Sequence, residues 1–147
     1  MSAVRRAHVA ELGTIEPEDP DYPEWIPVRA PLGVRAFGVN AWVGRQPGDP
    51  VIERHDEAPG DDGEPGHEEL YVVLEGEAEF VVDGERFRAG AGELVFLGDP
   101  TVTREARAVA PSTRVLAIGA APGVAFEPSA WEQRELRKNG WDPGPSA

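Results

Sequence analysis

Apolar and polar residues alternate along most of the middle of the chain. From Gly33 onward, many apolar residues lie about two positions apart: Val34, Phe37, Val39, Ala41 and Val43. A turn follows at 46–50, and Val51–Glu57 forms a second run. A period of two puts successive side chains on opposite faces, which is typical of a strand with one buried face. Both segments are therefore predicted to be strands.

The same pattern continues from Glu68 to Thr103, with glycines between the runs. Asp83–Gly84 separates two alternating segments, which predicts a tight β-hairpin. Arg114–Ile118 is predicted to form one more strand. About eight short strands joined by closely spaced turns favour an all-β sandwich or barrel.

The segment before this barrel has no such alternation. Residues 13–32 contain five prolines, which block helix and central strand, so an irregular N-terminal arm is predicted over residues 1–32. Trp25 and Ile26 in this arm are apolar and need burial. We therefore expect the arm to pack on the main body.

The segment after the barrel predicts one short helix. Ser129 and Glu132 form a capping box, and Asn139–Gly140 is a stop signal, so the helix should cover about 129–139. The expected organisation is thus the arm, a barrel at 33–120, and a C-terminal helix and tail at 121–147.

Composition narrows the classes of partner and site. The 147 residues carry a net charge of −13, which repels phosphate backbones and anionic lipids, so neither nucleic acid nor a membrane is an expected partner. The chain has no cysteine, which excludes disulfides and zinc–thiolate sites. Neither a leader-like segment nor a long apolar run stands out, so a cytoplasmic location is expected.

The sequence around Glu69 resembles a known motif. Glu69 and Gly76 have the glutamate-to-glycine spacing of the first motif of the cupin superfamily, and Gly92, Gly98 and Pro100 fall on the frame of its second motif. The resemblance covers residues 33–120. It implies a cupin-like jelly-roll β-barrel with a pocket at one end, often with a metal, and often a homodimer. We therefore expect two copies of this chain to associate.

The ligand positions of the family's motifs are only partly kept. Thr103 stands where the second motif has its histidine, and Arg104 follows it. If residues 58–66 are an insertion, His55 takes the place of the first histidine of the first motif and Glu57 that of the second. His67 is then an additional histidine beside Glu69.

Strand geometry brings these residues into one hypothesis about the site. A period of two puts His67, Glu69 and Tyr71 on one face, and we expect the strand of His55 to neighbour theirs. Two imidazoles and a carboxylate are the donor set of a facial iron site, which also suits manganese or zinc. His55, His67 and Glu69 are therefore the candidate metal ligands, although both histidines could instead face solvent beside the acidic loop.

Three more residues are candidates for contacting a ligand: Tyr71, Thr103 and Arg104. Arg104 at the cavity rim would attract a carboxylate or phosphate, unless it forms a rim ion pair with an acid such as Glu105. The favoured hypothesis is a cupin domain that binds a small molecule in the barrel, with catalysis left open. The alternatives are a metal-dependent enzyme of the dioxygenase or isomerase type that uses the candidate metal ligands, and a structural or regulatory protein with a vestigial pocket.

Overall fold

The computed structural model describes residues 3–61, 63 and 65–141. Residues 142–147 of the predicted tail, and Asp62 and Glu64 of the acidic loop, lie outside this part. After a 3₁₀ turn at Val9–Glu11, the described chain forms nine strands and two helices. They are β1 (Glu24–Pro27), α1 (Arg29–Leu32), β2 (Gly38–Gly44), β3 (Pro50–His55), β4 (Glu68–Glu75), β5 (Glu77–Val82), β6 (Glu85–Gly90), β7 (Leu94–Leu97), β8 (Arg104–Ala108), β9 (Thr113–Ala120) and α2 (Ala130–Lys138).

The strands form two antiparallel sheets. One has the order β1-β2-β9-β4-β7 and the other β3-β8-β5-β6. Apolar side chains from both sheets, among them Val51, Tyr71, Phe80 and Val115, pack together in one buried cluster. This arrangement confirms the predicted all-β jelly-roll fold. In the described part of the chain, no helix is both long enough and apolar enough to cross a membrane.

The hairpin between β5 and β6 follows the predicted chemistry. Val82 pairs with Glu85 across the turn, and Asp83 and Gly84 both have positive φ, at 49° and 81°. A two-residue turn of this kind needs positive φ at both central positions, which Asp-Gly tolerates well. The predicted strand after Gly33 is shorter than its pattern indicates, because β2 starts at Gly38 and leaves Phe37 39% exposed.

The N-terminal arm is less irregular than its prolines indicate. β1 pairs with β2 at the edge of the larger sheet, and α1 follows it. An edge strand tolerates proline because one side of its backbone needs no partner, and Pro27 is the last residue of β1. Trp25 and Ile26 are buried within the chain.

The predicted C-terminal helix is α2. The side chain of Ser129 accepts a hydrogen bond from the backbone N–H of Glu132, which caps its first turn. The carboxylate of Glu132 is not used for the cap, since it accepts hydrogen bonds from the buried Arg29 over 3.0 Å and from Asn40 over 3.0 Å. With the buried Leu136, this ion pair holds α2 against the arm and β2.

Candidate functional site

A cavity of about 380 Å³ lies between the two sheets. β2, β4 and β9 line one side and β3 the other, while the acidic loop and the segment leading into α2 contribute the remaining walls. Its aromatic walls are His67, Tyr71, Trp42, Phe126 and Trp131. A volume of this size suits a small organic molecule, for which pockets of roughly 300–1,000 Å³ are usual.

Glu69 is the centre of the polar groups in this cavity. Its Oε1 accepts a hydrogen bond of 2.6 Å from the hydroxyl of Tyr71, two residues along β4. The same oxygen accepts a bond of 2.7 Å from Nη1 of Arg104. The Nε2 of His55 lies 3.7 Å from it. Glu69 therefore has one neutral donor and two potentially cationic groups around a single carboxylate oxygen.

These groups come from opposite sheets. His55 on β3 pairs directly with Arg104 on β8, whereas Glu69 and Tyr71 lie on β4 of the other sheet. The expectation that the strand of His55 neighbours that of Glu69 is therefore wrong. The acidic loop after β3 crosses from one sheet to the other, so the side chains meet across the barrel instead of along a shared ladder.

His55 is held with acceptors at both ring nitrogens. Nδ1 lies 2.7 Å from the carbonyl of Glu53, and Nε2 lies 2.9 Å from Oε1 of Glu57. Burial disfavours the charged ring, but the hydrogen bond to Glu57 and the negative charges of Glu69 and Glu53 outweigh it and raise the pKa of His55 to about 10. His55 is therefore an imidazolium at neutral pH.

The neighbouring acids and Tyr71 are shifted by the same cluster. Burial opposes ionisation of Glu69, yet its contacts with His55, Tyr71 and Arg104 more than compensate and lower its pKa. Burial raises the pKa of Tyr71 well above its usual value, and the charge of Glu69 adds to this effect. Burial also raises the pKa of Glu53. Tyr71 thus remains a hydrogen-bond donor, and Glu69 remains a carboxylate.

The other candidate residues occupy different positions. His67 lines the cavity just before β4, with its ring centroid 6.2 Å from that of Phe126. Arg104 is not at the rim: it is 0% exposed and lies behind Glu69, because strand alternation points it inward. Its Nη2 is buried and has no hydrogen-bond partner in the described part of the chain. Thr103, one residue earlier, is not among the residues that line the cavity.

Residues 46–102 match the cupin domain family.

This part of the chain is similar to a cupin domain.

Solved structures of other proteins share the fold. A cupin protein from Bacteroides fragilis has 20% identity and a TM-score of 0.55, with 88% of this chain and 93% of that chain covered. A predicted oxalate decarboxylase from Thermotoga maritima has 16% identity and a TM-score of 0.60, covering 80% and 99%. A cupin-superfamily sugar phosphate isomerase from Silicibacter pomeroyi has 16% identity and a TM-score of 0.58, covering 79% and 75%. No curated protein sequence matches the chain.

Metal ligands are common in cupins, and three donors here meet the distance requirement. Single donor atoms of His55, Glu57 and Glu69 lie within 4.8 Å of one another, and the carbonyl of Glu53 could fix the ring of His55 through Nδ1. His67 is not in this group. The charge requirement is not met, because the buried guanidinium of Arg104 already occupies Oε1 of Glu69 and would repel a divalent cation. The residues therefore do not fit a resident metal.

Several residues that line the cavity were not predicted from the sequence. Glu53 lies two residues before His55 on β3, so a period of two applied to that strand could have selected it. No sequence pattern pointed to the other three lining residues, Asn40, Trp131 and Glu132. Their positions at the cavity depend on how the arm and α2 pack on the barrel. The predicted C-terminal helix contributes Trp131 and Glu132 to the cavity wall.

Proposed function

We propose that this cupin domain binds a small organic molecule in its barrel cavity without the participation of a metal. The observation that carries this proposal is the convergence of Tyr71, Arg104 and His55 on Glu69 at a cavity that also has aromatic walls. Buried polar groups with fixed partners keep their positions, so they can orient a ligand without reorganising.

The walls of the cavity support binding more than chemistry. The hydroxyl of Tyr71 and the Nη1 of Arg104 are both engaged with Glu69, and the ring of His55 has acceptors at both nitrogens. These groups neutralise one another, and none of them is a free base. Such a site has the features of a binding pocket, in which apolar and aromatic surface supplies affinity and a few polar groups supply specificity.

A metal-dependent enzyme of the dioxygenase or isomerase type is the second candidate. The distances among the donor atoms of His55, Glu57 and Glu69 favour it. The position of Arg104 opposes it, as argued above. Elemental analysis of protein purified without chelators separates the two functions, since a stoichiometric divalent metal would support the enzyme and contradict the proposal.

Thermal unfolding in the presence of a library of small organic molecules tests binding itself. A ligand at 100 times its Kd stabilises the native state by about 2.7 kcal/mol, which raises the Tm by several degrees. Ala117→Leu adds bulk to the cavity wall and should abolish the shift, whereas Ala7→Leu in the exposed arm should not. A library without any hit, or hits that persist in Ala117→Leu, would contradict the proposal.

The negative net charge supports a protein that does not bind nucleic acid or anionic membranes, and a cytoplasmic location remains part of the proposal. Two assays at physiological salt test the expected partners. Retention of mixed DNA or RNA on a filter, or sedimentation of the protein with anionic vesicles, would contradict this part of the proposal.

A further inference from the structure

The charges that line the cavity are strongly one-sided. No Lys or Arg is among the lining residues in the described part of the chain. Five carboxylates are: Glu53, Asp56, Glu57, Glu69 and Glu132. A ligand that enters the cavity therefore meets acids and aromatic rings, and no Lys or Arg of the described residues lines its path.

Three of the five carboxylates already have a cationic partner. Glu132 is paired with Arg29 over 3.0 Å, and Glu69 with Arg104 over 2.7 Å. Glu57 is paired with His55 over 2.9 Å. Glu53 and Asp56 remain, so the lining keeps a surplus of negative charge.

Glu53 is the better placed of these two acids. The nearest cationic atom to its carboxylate is Nδ1 of His55 at 3.7 Å, and that nitrogen is already bonded to the carbonyl of Glu53. Among the described residues no Lys or Arg lies within ion-pair distance of Glu53. Its side chain is only 31% exposed, so its charge is less screened than that of a surface acid.

A second, smaller cavity adjoins the first at Glu53. It has a volume of about 150 Å³ and shares Trp42, Glu53 and Trp131 with the larger one. Its other walls include Trp25 and Tyr22, and the ring of Trp25 lies 5.2 Å from that of Trp131. Indole rings attract cations to their faces, and this attraction strengthens when water is excluded. The junction of the two cavities thus combines two indole rings with the carboxylate of Glu53, whose cationic neighbour, His55, is already hydrogen-bonded to Glu57.

We propose that the ligand of this cupin carries a positively charged amino or quaternary ammonium group, which binds at Glu53 between Trp42 and Trp131. The organic remainder of the ligand occupies the larger cavity, beside Tyr71 and Phe126. A phosphate or carboxylate ligand is disfavoured, because it would add negative charge to a surplus, and Arg104 is buried behind Glu69 and cannot reach it. This inference rests on the proposed function, since it assumes that the cavity binds a small molecule.

The test compares three probes that differ in charge but share a phenyl ring and a two-carbon chain: phenethylamine, phenethyl alcohol and hydrocinnamate. Titration calorimetry at neutral pH should give an affinity for the amine at least about tenfold above that for the alcohol, with hydrocinnamate the weakest. The affinity for the amine should fall with added salt, and that for the alcohol should not. Preference for the alcohol or the acid would overturn the inference.

Two variants assign the effect to the junction. Glu53→Gln keeps the shape of the side chain and should lower the affinity for the amine about tenfold, while the affinity for the alcohol stays unchanged. Glu85→Gln, an equal change of charge at an exposed position of β6, should alter neither. Trp131→Leu should also lower the affinity for the amine more than that for the alcohol. If Glu53→Gln and Glu85→Gln lowered the affinity for the amine equally, the effect would come from net charge alone, and the inference would be overturned.

Failure of the inference and failure of the proposed function remain distinguishable. Library hits that depend on Ala117, but are neutral or anionic, would uphold binding and overturn the ammonium site. A library without hits, together with no heat from phenethylamine, would overturn both.

Discussion

The guanidinium of Arg104 donates to Oε1 of Glu69 over 2.7 Å, although the two residues lie on opposite sheets. The arginine side chain is completely buried and the glutamate side chain is 12% exposed. Removing either partner strands a charge that solvent cannot screen well. The pair therefore couples the two sheets at the base of the cavity.

Arg104→Met and Glu69→Gln should each destabilise the protein by about 3 kcal/mol. Glu69→Gln leaves the buried guanidinium without its counterion, and Arg104→Met leaves Glu69 with only His55 and Tyr71 as partners. The double variant should lose at least about 1 kcal/mol less than the sum of the two losses. Urea unfolding of all four proteins measures this coupling. Arg107→Met, the same substitution at an exposed position of β8, is the control. Additive losses would show that the ion pair contributes nothing of its own.

Stability should depend on the protonation of His55. Its pKa is raised from 6.5 to about 10 in the native state, where Glu53, Glu57 and Glu69 are the acids around the ring and Arg104 is the nearby cation. The protonated ring thus contributes stability that is fully present below pH 6.5 and is lost as the pH rises through about 10.

The free energy of unfolding should accordingly fall over this range, by at most about 1.4 kcal/mol per pH unit from this one group. His55→Gln should flatten that part of the profile, and His8→Gln in the exposed arm should leave it unchanged. Urea unfolding at a series of pH values on metal-free protein measures the difference between wild type and each variant. Identical slopes for wild type and His55→Gln would contradict the prediction.

Part of this site could be predicted from sequence because it depends on local geometry. The spacing of Glu69 and Gly76 and the period of two within β4 give Glu69 and Tyr71 a common face, and they share a hydrogen bond. Glu53 follows from the same rule applied to β3. Which sheet receives β3 depends on how a loop crosses the barrel, and the burial of Arg104 depends on the opposite sheet. Neither property is encoded in the neighbouring residues.

Divalent cations should bind weakly to the wild-type protein because of Arg104. Arg104→Met removes the positive charge beside Oε1 of Glu69 and should raise the affinity of the His55, Glu57 and Glu69 group for Mn²⁺ or Zn²⁺ at least about tenfold. Titration calorimetry with each metal, on protein shown to be folded by circular dichroism, measures this change. Arg107→Met should bind as the wild type does. Tight binding by the wild type, or no gain in Arg104→Met, would refute the charge argument and restore the metal-dependent enzyme as the leading candidate.

Association of two copies of the chain stays a prediction, but the structure changes which surface is expected to form the interface. Trp25 and Ile26 of the arm are buried in their own chain and are not available to a partner. Leu94 and Phe96 on β7 are 65% and 62% exposed, and β7 is an edge strand of the larger sheet. Exposed apolar residues on an open edge invite pairing, and a second copy would offer the same residues across a two-fold axis.

Sedimentation at tens of micromolar should therefore show a dimer for the wild type and a monomer for the double variant Leu94→Ser and Phe96→Ser. Val124→Ser, which removes an exposed apolar side chain elsewhere, should leave the dimer intact. The substitutions lie on the outer face of β7, so the buried Leu97 should continue to hold the strand in the core. A wild-type monomer would exclude self-association at this concentration. A dimer that survives the double variant would exclude β7 as its interface.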